Sequence, residues 1–138
     1  MLSARNRVAL AAAGAASLVI VAGGAIYEKI DYRQRMRAHA AAITGGDPER
    51  GEAQFIRYGC GGCHALEHVP RAVGGVGPAL DTVALQAVVG GRLNNTPDNM
   101  RLWIRDPQVV SPGSVMPDLG VTDRDARDIS AFLYARPN

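Results

Sequence analysis

The only two cysteines of this 138-residue chain stand three positions apart, in Cys60-Gly61-Gly62-Cys63-His64. No other stretch limits the possible folds so strongly. One turn of helix brings both thiols and the following imidazole to a common neighbour. Covalent attachment of a c-type haem needs that arrangement: each sulfur bonds a vinyl-derived carbon, and the imidazole reaches the iron. Gly61 and Gly62 are expected to keep side chains out of the space between the thioethers and the macrocycle. Two other chemistries use paired cysteines. A redox dithiol belongs beside a βαβ pattern, and the sequence has none. A structural zinc site takes four ligands, and His39 and His68 are poor candidates to complete one. The reading is one covalent haem on Cys60 and Cys63, with His64 as an iron ligand.

Charge divides the chain. Residues 1–46 carry six basic and two acidic side chains, whereas residues 47–138 carry nine basic and eleven acidic ones. The net balance is +4 in the first part and −2 in the second. Basic residues do not cluster on a motif and aromatics are too few for base stacking, so nucleic acid is not an expected partner. The second part is short of core: its aromatics are Phe55, Tyr58, Trp103, Phe132 and Tyr134. A domain of about 90 residues is near the low end for self-sufficient burial. A buried apolar cofactor would add to that core.

Val8 to Tyr27 is an uncharged run of 20 residues, preceded by Arg5 and Arg7. As a helix it spans about 30 Å, enough for a bilayer core. A cleaved signal cut after Ala25 is one reading, since Gly23 and Ala25 are small. The length of the run and the charged stretch after Tyr27 favour an uncleaved anchor. Four Lys/Arg follow the run and two precede it, which the positive-inside rule takes as the opposite orientation. Covalent haem attachment, expected on the outer face, decides the orientation instead. That places the second part on the periplasmic side of a bacterial inner membrane. Residues 1–27 are read as anchor, 28–46 as a polar tether broken at Thr44-Gly45-Gly46, and 47–138 as one haem domain.

Within the domain, Asp47-Pro48-Glu49 starts a helix by capping and runs to about Tyr58, with Ala53, Phe55 and Ile56 available for burial. A Gly/Pro-rich segment spans Pro70 to Pro78. Thr96-Pro97-Asp98 starts a helix carrying Met100, Trp103 and Ile104, which Asp106-Pro107 ends. Thr122 and Asp125 start the last, whose apolar face is Ala126, Ile129, Phe132 and Leu133. No strand pattern stands out, so the fold class is all-α. Of four methionines, Met1 is terminal, Met36 lies in the tether, and Met100 suits core packing within a helix. Met116 lies in Ser111-Pro112-Gly113-Ser114-Val115-Met116-Pro117, a proline-stiffened loop able to present one thioether. Met116 is the expected second axial ligand. His39 and His68 are its competitors, and His68 follows His64 too closely to reach the other side.

Over roughly residues 47–135 these features resemble a class I monohaem cytochrome c. The motif at Cys60 is followed by Gly77-Pro78-Ala79-Leu80, where the resemblance implies that the Pro78 carbonyl accepts the His64 N–H, fixing the ring and raising its basicity. It also implies that Gly51 and Phe55 form a helix contact with Tyr134 as aromatic partner. A narrower similarity runs through Asn95-Thr96-Pro97-Asp98-Asn99-Met100, Trp103-Ile104-Arg105-Asp106-Pro107-Gln108 and Met116-Pro117. It is similar to cytochrome domains attached to haem–copper oxidases, including the caa-type. There the resemblance implies a haem-side position for Trp103 and a propionate contact from Trp103 or Arg92. A solvated loop charge is the alternative for Arg92.

The function implied is electron transfer without catalysis, between respiratory-chain complexes in a membrane. A haem–copper oxidase is the first expected partner and a quinol-oxidising complex the second. A haem sensor or peroxidase would need a distal acid–base residue, and the loop around Met116 offers none. A structural subunit of a respiratory assembly is a third reading, suggested by the Ala/Gly-rich N-terminal run.

Overall fold

The computed structural model describes residues 4–136, with side chains over that range except at 7–12. The chain divides into two compact units, Met1–Gln34 and Arg35–Asn138. Helix α1, Ala4–Thr44, has no acid in its first turn and no base in its last. Within the first unit its large apolar side chains, such as Leu18, Ile20 and Val21, are exposed. An 18-residue window of mean hydropathy 1.3 makes this helix long and apolar enough to cross a membrane. The unit boundary falls inside the stretch 28–46 read as a tether, and residues 35–44 of α1 belong to the second unit. Ala40 is fully buried there. The Thr44 hydroxyl donates back to the Ala40 carbonyl at 2.6 Å, and the helix stops at Gly45.

Helices make up most of the regular structure of the second unit and are joined by long irregular segments: α2, Pro48–Arg57; α3, Pro97–Arg105; the single turn α4, Pro107–Val110; and α5, Asp123–Tyr134. Side chains set the starts. Asp47 accepts the Glu49 and Arg50 N–H groups, Thr96 accepts that of Asn99, and Thr122 accepts that of Asp125. Each cap satisfies an N–H that has no partner within its helix.

Helix α5 is the centre of the unit, buried at Ala126, Asp128, Ile129, Ser130, Ala131, Phe132 and Leu133. Helix α2 packs across it at Gly51, where a Cβ would overlap the Asp128 carbonyl oxygen and crowd Phe132. One helical turn on, the Phe55 and Phe132 rings meet at 5.8 Å with planes tilted by 56°. Such tilted pairs add about 0.5–1.5 kcal/mol beyond burial. Phe132, not Tyr134, is therefore the aromatic partner of Phe55. Residue 134 lies about 200° round the helix from residue 132. The Tyr134 hydroxyl instead donates to Asn95 at 2.5 Å. The buried face of α2 is Gly51 and Phe55, four apart, whereas Ala53 and Ile56 are exposed.

Polar groups fix the same crossing. Arg50 donates from Nε and Nη2 to both oxygens of buried Asp128, at 2.9 Å each, and the Asp47 N–H reaches Oδ1 at 2.8 Å. At the other end of α2 the Tyr58 hydroxyl donates to Asp125 at 2.8 Å, and this bond holds the Asp125 carboxyl below its ordinary range. One element departs from the all-helical expectation. Val88–Val89 (β1) pairs antiparallel with Leu93–Asn94 (β2), Val89 opposite Leu93. Gly90 and Gly91 turn the hairpin at φ 60° and 68°, values that side chains resist.

Candidate functional site

The motif sits where α2 ends. Tyr58 caps the helix, Gly59 reverses the chain, and Cys60–Gly62 forms one 3-10 turn. The Cys60 carbonyl accepts from Cys63 N–H at 3.2 Å and His64 N–H at 3.0 Å. That turn carries Cys60, Cys63 and His64 to the lining of one cavity of about 590 Å³. Gly61 and Gly62 are not among the residues lining it. Gly61 is required by a neighbour instead: a Cβ there would lie 2.7 Å from the Ala72 Cα.

The segment after the motif folds back along it. Gly74 N–H donates to Gly61 at 3.0 Å, Gly77 to Cys63 at 2.9 Å, and Leu80 to Ala65 at 2.9 Å. This brings Gly77 against the imidazole, where a Cβ would lie 2.6 Å from Nδ1. The Pro78 carbonyl oxygen is 2.8 Å from His64 Nδ1. A carbonyl only accepts, so Nδ1 donates the proton of this bond, and in the neutral ring Nε2 is the nitrogen with the lone pair. The ring is thus held as the tautomer suited to ligation through Nε2.

Met116 lines the same cavity, from the loop between α4 and α5. Met100 also reaches it, from α3, and is almost fully buried. Trp103 lines it with its ring against Gly90, whose added Cβ would fall 2.5 Å from the indole. Arg92 is exposed and is not a lining residue; its Nε donates to Ser111 Oγ at 3.1 Å. His39 and His68 are exposed and stand apart from the cavity, and Met36 lies in α1. Met1 lies outside the described residues.

Sequence reasoning missed two residues that hold the walls in place. Asn95 donates from Nδ2 to the Val83 and Gln86 carbonyls, both at 2.8 Å, and accepts the Tyr134 hydroxyl. Gln108 bonds three times to the Met116 loop. Both lie in the stretches that carry the narrower similarity, Asn95 to Met100 and Trp103 to Gln108, but nothing in the sequence assigned either a role.

These surroundings discriminate among the chemistries open to paired cysteines. Burial pushes the Cys60 thiol up to about 11, opposed by its own backbone N–H and aided by Cys63. Reactive dithiols are tuned the other way, toward thiolate. Among the described residues no group of three or more His, Cys, Asp or Glu could hold a bare metal ion, which leaves a zinc site without ligands. The lining is mostly apolar, and its titratable members are Tyr58, Cys60, Cys63 and His64. A cavity of this size takes an organic cofactor rather than an ion. A haem fits the donor set: two thiols, an imidazole with Nε2 free, and a thioether, all on one apolar cavity.

The fold and site thus define a small helical domain built round a cavity that one Cys-x-x-Cys-His turn enters. Over 84 residues, 61% of its length, the chain is 36% identical to cytochrome c oxidase subunit 2 of Alkalihalophilus pseudofirmus. The matched stretch is 23% of that protein, so the chain spans about a quarter of the relative's length. No protein-family model matches the chain, and no solved structure matches it.

Proposed function

We propose that this chain is a membrane-anchored electron carrier with the class I cytochrome c fold, holding one covalent haem in the cavity. Cys60 and Cys63 form the thioethers, and His64 and Met116 are the axial ligands. Bound there, the haem supplies a reversible one-electron couple. The observation that carries the reading is the meeting of the Cys60–His64 turn and the Met116 loop at one apolar cavity. The Pro78 carbonyl orients the His64 ring and leaves Nε2 as the nitrogen turned to a ligand. With both His64 and Met116 holding the iron, the bound haem would favour electron transfer over oxygen activation and would have a higher potential than a bis-histidine site. Apolar walls exclude water, and Trp103, which lines the cavity, is the residue proposed to contact a propionate.

The anchor is residues 1–27, built on the uncharged run from Val8 to Tyr27, with 28–46 as connector, 47–138 as haem domain, and the haem on the periplasmic face. The partner is a haem–copper oxidase, a reading supported by the similarity to an oxidase subunit. That similarity also favours a permanent place in an oxidase assembly over a mobile shuttle, which co-purification in mild detergent separates. The functional test is reoxidation of the reduced protein by membranes, with and without cyanide. Cyanide-sensitive reoxidation is expected. Absent reoxidation, or reoxidation undiminished by cyanide, contradicts the oxidase assignment, and stable ligand binding by the wild-type ferrous protein points to a sensor.

A further inference from the structure

We infer that Gln108 is the positioning residue that holds Met116 at the cavity, an inference that rests on the axial role just proposed. Gln108 lies on α4, whose first residue, Pro107, is almost completely buried, so the helical turn is seated in the core. Gln108 does not line the cavity itself. Its Nε2 donates to the Ser114 carbonyl at 2.8 Å and the Met116 carbonyl at 2.6 Å, while its Oε1 accepts the Gly113 N–H at 3.1 Å.

The chemistry of that side chain is specific. Ser114 and Met116 offer carbonyls, which only accept, and Gly113 offers an N–H, which only donates. A neutral carboxamide serves both from one group, whereas a carboxylate lacks the donors and an ammonium lacks the acceptor. The loop is shaped for the contact. The Ser114 N–H donates to the Ser111 carbonyl at 3.0 Å across Pro112-Gly113, and Gly113 has φ 81°. That is the signature of a type II turn, with proline first and glycine second in its centre. The turn aims the Gly113 N–H at Gln108, and Ser114 Oγ then accepts the Met116 N–H at 3.2 Å. The backbone on both sides of the Met116 side chain is thereby fixed from α4. Proline stiffens this loop, but Gln108 sets where it sits.

The test uses the haem-loaded full-length protein and the variants Gln108→Ala, Gln108→Glu, Met116→Ala and Val109→Ala. Each is measured for the thioether-to-ferric-iron charge-transfer band, carbon monoxide association and amide exchange at Gly113. Met116→Ala is expected to abolish the band. Gln108→Ala is expected to weaken it, to speed carbon monoxide association roughly tenfold, as loss of its three hydrogen bonds to the loop implies, and to speed exchange at Gly113. Gln108→Glu, close to isosteric and so expected to fold, should open the iron at least as much, because carboxylate oxygens then face two carbonyls. Val109→Ala, at a neighbouring position 77% exposed, should match the wild type. A wild-type band lost in Met116→Ala but unchanged in both Gln108 variants, with unchanged carbon monoxide association, overturns the role of Gln108 alone. A wild type without the band overturns the axial role of Met116, and this inference with it.

Discussion

Two methionines reach the same cavity, and burial separates their roles. Met100 is 1% exposed inside α3, among the side chains of the core, whereas Met116 is half-buried on an irregular loop. Met116→Ala is therefore expected to admit carbon monoxide or cyanide and to lower the potential, with the fold retained. Met100→Ala should cost about 2–5 kcal/mol as a large-to-small core change, and leave ligand exclusion intact. Ligand titration and denaturant unfolding of both variants check this, and the reverse pattern would exchange their assignments. The residues proposed to bond a haem are readable because chemistry ties them to sequence spacing: a thiol pair three apart with an adjacent imidazole needs one helical turn. The residues that hold them are not. Gln108 reaches across a loop, and Gly61 is fixed by the backbone at Ala72; both depend on how an irregular segment folds back, which local pattern does not show.

Helix starts were legible because caps are local. Asp47, Thr96 and Thr122 each accept an N–H two or three residues on. Helix faces were less so. Phe132 takes the place expected of Tyr134, and Ala53 and Ile56 are exposed, while Gly51 and Phe55, four apart and so on one face of α2, make the contact that the resemblance implied. The hairpin escaped because two residues per strand carry no alternation, although Gly90-Gly91 marks its turn. Gly51→Ala should destabilise the unit by at least about 3 kcal/mol, the upper range for overpacking, because the added carbon meets backbone rather than a movable side chain. Denaturant unfolding measures it. Acid tests the other end of α2. Tyr58 keeps the folded Asp125 pKa below its ordinary 3.8, so the stabilisation is full above 3.8 and is lost as pH falls through the lowered value. Tyr58→Phe removes the bond, so the stability gap between variant and wild type should be widest near neutral pH and shrink in acid. A gap that grows in acid would contradict this.

At the scale of the whole molecule, hydropathy marked the membrane-crossing candidate, and charge separated it from the haem-domain candidate. The domain boundary was harder to place, because residues 35–44 of α1 carry charged, exposed side chains yet belong to the second compact unit through Ala40. Periodicity alone does not show such a seat. The run from Val8 to Tyr27 is expected to remain on the mature protein. N-terminal sequencing or intact mass of the membrane fraction checks it, and a chain starting near Ile26 would show a cleaved signal instead. Docking is expected to rest on apolar side chains at the cavity mouth, with arginines at the rim, since there is no lysine after Lys29. Its salt dependence should be modest. All of this depends on a cofactor bonded to Cys60 and Cys63, and acidified-acetone extraction of the purified protein tests that bond directly. The colour should stay with the polypeptide, and the intact mass should exceed that of the bare chain by one haem. Haem that leaves with the solvent, or a mass equal to that of the bare chain, would contradict the account.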